Sequence, residues 1–153
     1  MPNKSEAKAK WLDIKRQLKE WGRPEVIGLV HDLFEFSGEN REFLAARLLR
    51  DTGSIDSIQS YRCTIVAAIA KSDGLPDLAA ARKAIRDYEK ASGDLPGTLD
   101  LMLTYLEAGT DLTLEYVDTY EGFYDSLCSV LDELARGLED KEGRRYREQL
   151  KDR

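Results

Sequence analysis

Two cysteines, one histidine and a deficit of basic residues exclude much before any pattern is read. Cys63 and Cys128 fall within helical patterns far apart in the chain. They make neither a metal-type pair nor a secreted disulfide framework, and buried, reduced thiols are the reading that remains. With His31 as the lone imidazole, a zinc site would depend mainly on carboxylates, and the Glu-x-x-His pairs of a di-iron bundle are missing. No serine stands in Gly-x-Ser-x-Gly, and neither cysteine has a histidine near it in sequence. Glycines punctuate the chain singly, unlike a phosphate-binding loop. No window approaches the ~20 apolar residues of a spanning helix, and the opening MPNKSEAKAKW has no apolar run behind its charges, unlike a signal peptide. Lys and Arg number 23 against 29 Asp and Glu, a net charge of −6 that disfavours a general nucleic-acid binder. The chain therefore calls for no metal, no cofactor and no membrane partner, with the cytoplasm as its default location.

What is there is helix. Hydrophobic residues at 42% suffice for a core, and 34% charged residues fit well-solvated helix faces. The stretch Leu95 to Gly109 organises the rest. At helical period, Leu99, Leu101, Met102, Leu103, Tyr105, Leu106 and Ala108 cover more than half the circumference, leaving Asp100, Thr104 and Glu107 on one narrow side. A helix apolar nearly all round must be enclosed by others. Asp94 suits its N-cap, Pro96 its first turn, and Gly109 a left-handed stop.

Around it the pattern predicts helices at Ser5–Glu20, from Pro24 on, at Glu39–Arg50, Ser54–Lys71, Asp77–Ser92 and from Tyr120 on. The fourth is rich in isoleucine, yet its spacing is three to four and never alternating. The segment TDLTLEYVDT after Gly109 is a short turn of helix or an irregular crossover. Tyr120, Phe123, Tyr124, Leu127, Val130, Leu131, Leu134 and Leu138 share one face of the last helix. The expected fold is all-α: one domain over residues 1–153, a compact bundle of seven or eight helices around the central apolar one, with residues 1–8 and 140–153 frayed or extended. A short α-solenoid is the alternative. Leu99, Met102, Leu103, Leu106, Phe123, Leu127 and Leu131 are the expected main core.

The segments FSGENREFLAARL, ARKAIRDYEKASGD, LDLMLTYLEAGT and FYDSLCSVLDEL together resemble a family of small helical bacterial proteins designated a domain of unknown function, DUF6155. The resemblance covers about Ile14 to Leu138 and implies a bacterial, cytosolic, all-helical domain. It brings no activity, cofactor or site residues.

Two arginines stand out as ligand-binding candidates. Arg62 falls in the middle of an isoleucine face, between Ile58 and Ile65–Val66, and Arg47 lies on the side defined by Phe43 and Leu44. A buried guanidinium needs a carboxylate, carbonyls or an exit to water. An internal ion pair or a snorkelling side chain is the plain reading. The functional one has both arginines in one cleft, binding an anion. Arg82, Arg86 and Lys90, with Lys83, form a basic stripe, while Glu121, Asp125 and Asp132 form an acidic one; solvation or mutual pairing explains each. His31 and Glu35 stand one helical turn apart, and Asp118, Glu121 and Asp125 could group, but a surface histidine in an i,i+4 contact is simpler. Tyr116 and Tyr124 are aromatic candidates for an exposed hydroxyl. The function this implies is a non-enzymatic helical interaction module, with a protein partner or a second copy of itself. The alternative is a small-molecule or anion-binding protein, an enzyme included, with a pocket near Arg47 and Arg62.

Overall fold

The structure, a computed structural model, describes residues 10–49, 56–70, 74–115 and 120–151. Of these, 89% are helical, in eight helices, with no strand among them. The helices are α1 (Trp11–Glu20), α2 (Arg23–Phe36), α3 (Gly38–Leu48), α4 (Asp56–Ile69), α5 (Leu78–Ser92), α6 (Leu95–Glu115), α7 (Glu121–Glu139) and α8 (Lys141–Lys151). The all-α expectation holds, including for isoleucine-rich α4. The expected starts at Ser5 and Ser54, the ends at Arg50 and Lys71, the fraying of residues 1–8, and Tyr116 and Asp118 lie outside the described residues. The chain divides into two compact units, residues 1–41 and 42–153.

In the first unit the punctuation works as the sequence implies. Pro24 sits in the first turn of α2, and the Glu25 side chain reaches back to the Gly22 amide at 2.5 Å. Ser37 caps α3 by accepting from the Asn40 amide, while the Asn40 and Arg41 side chains donate back to the carbonyls of Leu33 and Phe34. Neither α1 nor α2 contains a buried residue.

In the second unit α6 is the centre. It packs against α4, α5, α7 and α8, and further close pairings join α4 to α5 and α7 to α8. Four helices gathered around one in this way make an all-α helical bundle. Two faces of α6 serve two apolar clusters. Leu101 and Tyr105 join Tyr61, Ile65, Ile69, Ile85 and Tyr88 in one; Leu99 joins Leu134 and Tyr146 in the other. This double duty is why α6 is apolar nearly all round.

The core list needs correction at its edges. Leu99 and Phe123 are fully buried, and Met102, Leu103, Leu106 and Leu127 are half-buried, but Leu131 is 54% exposed. The apolar arc of α7 is wider than the surface it covers. Val130 and Leu134 turn inward, which leaves Tyr120, Tyr124 and Leu131 at the rim. Both cysteines are exposed rather than buried, since the faces of α4 and α7 that carry them point away from the clusters.

Helix ends explain two further differences. Asp77 caps α5 through the Ala80 amide, and Gly93 closes it at φ 61°. Gly109, in contrast, does not stop α6. The helix runs on to Glu115, and the missing side chain at Gly109 makes room for Leu127, whose Cδ2 lies 2.4 Å from where a Cβ would sit. The tail, expected to fray from residue 140, instead forms α8, with Tyr146 buried against α6 and α7. A pattern of so few apolar residues hides this docking, because it depends on Gly143. A Cβ there would lie 2.0 Å from the Gly137 carbonyl oxygen, so only glycine lets α8 start this close to the end of α7.

Candidate groove between α4 and α6

Arg62 is held as its position on the isoleucine face requires. Ile65 and Ile69 are fully buried, so α4 cannot turn position 62 wholly into water. The guanidinium is about a third exposed; one nitrogen pairs with Asp100 Oδ2 across the helix interface, and the other donates to Gln59 Oε1 at 3.0 Å. The other oxygen of Asp100 accepts from the Tyr146 hydroxyl at 2.9 Å. One carboxylate therefore ties α4, α6 and α8 together. Asp100 belongs to the narrow polar side read from the sequence; Tyr146 does not appear there, since nothing in the tail's pattern marks it as docked.

The Arg62–Asp100 pair forms one end of a groove of about 630 Å³. Val66 of α4, Ala70 just after it and Leu103, Ala108 and Leu112 of α6 make its apolar floor, and Glu107, Asp111 and Glu115 line it from α6. A second depression of about 530 Å³ adjoins it on the other side of Leu103, Glu107 and Asp111. Of the narrow polar side, Thr104 is buried, its hydroxyl donating back to the Asp100 carbonyl, whereas Glu107 is exposed. The missing signal was spacing. Asp100, Thr104, Glu107 and Asp111 recur at four, three and four, a stripe that carries the helix straight through Gly109.

The charge of this groove is one-sided. Four carboxylates line it against one guanidinium, and that guanidinium is already paired with Asp100. No ion pair among the described residues engages Glu107, Asp111 or Glu115. The last turn of α6 has no basic residue, so Glu115 stands at the negative end of the helix dipole. Such a placement is unfavourable by about 0.3–1 kcal/mol per charge, and it deepens the negative potential at this end of the groove.

The other candidate residues lie elsewhere. Arg47 is not part of the groove's lining. It is exposed, its guanidinium is 5.7 Å from the Phe43 ring centroid, and it donates to the Lys90 carbonyl at 3.5 Å. The structure thus does not bring Arg47 and Arg62 into one cleft. The basic stripe of α5 is partly paired: Arg82 meets Glu133 of α7 at 2.5 Å, and Lys83 meets Asp87 at 2.6 Å. His31, Glu35, Glu121 and Asp125 are exposed, and no metal-type group of ligands occurs among the described residues. Tyr124 is half-exposed and stacks edge-on against Phe123. Within the core, the Tyr105 and Ser126 hydroxyls share a hydrogen bond at 2.7 Å. Burial raises the Tyr105 pKa above its ordinary value, against the smaller opposing pulls of Ser126 and Arg82.

No protein-family model, no curated protein and no solved structure matches the chain. The geometry has to carry the reading alone.

Proposed function

We propose that this protein is a non-enzymatic helical interaction module that receives a basic amphipathic helix of a protein partner in the groove between α4 and α6. One observation carries this: an open apolar floor is lined by three carboxylates that no cation in the described structure neutralises. A helix laid in such a groove buries its apolar face on Val66, Leu103 and Leu112, while its lysines or arginines meet Glu107, Asp111 and Glu115. Charge of this kind steers encounter and selects partners more than it adds affinity. An anion is the poorer occupant, since it would face those carboxylates and find the Arg62 guanidinium already committed to Asp100.

A fluorescently labelled helical peptide of leucine and lysine tests this by anisotropy. Saturable binding is expected, weakened by about tenfold or more in the Glu107→Lys/Asp111→Lys variant and lowered by added salt. Equal binding by the variant, or equal binding of a leucine–glutamate peptide, would overturn the reading.

A further inference from the structure

The first unit poses a separate question. Its two helices have no buried residue, yet Trp11, Ile14, Leu33, Phe34 and Phe36 are all 40% exposed or more. Five large apolar side chains this exposed on two short helices exceed the scattered exposure of an ordinary surface.

The charges beside these faces differ in sign. On α1 the apolar line Trp11, Ile14, Leu18 is flanked by Lys15 and Lys19, one turn apart. On α2 the apolar arc spans about half the circumference, with Val26, Val30 and Leu33 at its middle; Glu25 and Asp32 border it on one side and His31 and Glu35 on the other, Arg23 lies within it at the first turn, and the Arg41 guanidinium is 5.6 Å from the Phe34 ring centroid. The two helices are joined only by Trp21 and Gly22, both in extended conformation, and they do not pair closely with each other. Each helix therefore presents what the other lacks. A second copy supplies both at once, because in a two-fold assembly the contact of α1 with the partner's α2 is made twice. Pairing α2 with a second α2 would set Glu25, Asp32 and Glu35 against their own kind.

We infer that the chain forms a two-fold dimer in which α1 of each copy packs on α2 of the other, the lysine-flanked stripe against the carboxylate-flanked arc. This goes beyond the groove reading and does not depend on it.

Sedimentation of the full chain, with charge-reversed variants, tests it. The wild-type chain is expected to dimerise. Lys15→Glu/Lys19→Glu sets acid against acid in its own homodimer, and Glu25→Lys/Asp32→Lys sets base against base. Each alone is expected to dissociate at about tenfold or more lower dilution than wild type. Mixed one to one, the two variants are expected to form heterodimers, since both contacts then join opposite charges; circular dichroism of each variant checks that its helices persist. A wild-type chain that stays monomeric overturns the inference, whether or not it binds anionic phosphatidylglycerol vesicles through α1. So does a mixture that forms no heterodimer. The groove variant Glu107→Lys/Asp111→Lys is expected to lose peptide binding while remaining a dimer, so failure of one reading is told apart from failure of the other; loss of the dimer in that variant would place the interface elsewhere and overturn the inference.

Discussion

Helix α6 and helices α1 and α2 are all rich in large apolar residues, but α6 has seven buried residues and the other two have none. Content does not separate them; distribution does. The apolar residues of α6 are spread round the helix, so one neighbour can never satisfy it, and four helices surround it. Those of α1 form a stripe that a single partner surface can cover, while the arc of α2 is wider. Apolar distribution thus states how many neighbours a helix needs, and a stripe without one marks a surface still available.

The largest expected effect tests that contrast directly. Leu99 is fully buried on α6 against Leu134 and Tyr146, whereas Leu12 on α1 is 64% exposed and off the apolar line. Leu99→Ala is expected to cost about 2–5 kcal/mol in chemical denaturation followed by circular dichroism. Leu12→Ala is expected to stay within about 0.5 kcal/mol. Half-buried Leu103 and Leu106 should fall between them. Equal losses at Leu99 and Leu12 would break the comparison.

A smaller effect sharpens what holds α6 to its neighbours. Asp100 accepts from both Arg62 and Tyr146, so Asp100→Ala leaves two donors without their acceptor and is expected to cost about 1–3 kcal/mol. Arg62→Met should cost less, within about 1 kcal/mol, because the guanidinium is about a third exposed and Asp100 keeps the Tyr146 hydroxyl. Hydrogen exchange should show α8 losing protection in the Asp100 variant and keeping it in the Arg62 variant. The reverse order would mean that Arg62, not Asp100, is the joint.

How much of this was legible follows the same logic of distribution. The enclosed character of α6, the span of α5 from Asp77 to Ser92 and the need for a partner at Arg62 all follow from local spacing, and all three are realised. The failures occur where the decisive atom is absent. Gly109 reads as a stop because glycine commonly ends helices, but here its lack of a side chain accommodates Leu127. Gly143, within the tail expected to fray, admits α8 against Gly137, which brings Tyr146 to Asp100. A close approach permitted by a missing side chain leaves no periodic signal. The groove was hidden for the same reason, since Asp111 and Glu115 join it only if α6 continues past Gly109. Leu131 and the two cysteines show the limit from the other side: a helical face can be read, but the width of the surface that covers it cannot.

The subtlest expected effect concerns how tightly α6 is sealed. Tyr105 is fully buried, and its hydroxyl meets Ser126 on α7. Burial lifts its pKa above the ordinary 10.0, so in the folded chain it keeps its proton where the unfolded chain has begun to release one. The sign follows from proton counts. Above about pH 10 the unfolded state binds fewer protons than the folded state, so stability falls as pH rises; below that the contribution is fully present and flat. Other tyrosines ionise in the same range, so the measurement is a difference. Tyr105→Phe is expected to cost about 0.5–1.5 kcal/mol at neutral pH by loss of the Ser126 bond. The gap between the variant and wild type should then narrow as urea titrations move from about pH 9 to pH 11, because the variant has one ionisation fewer favouring the unfolded chain. A constant gap across that range would mean that water reaches the Tyr105 hydroxyl, and that α6 is not the enclosed helix its burial describes.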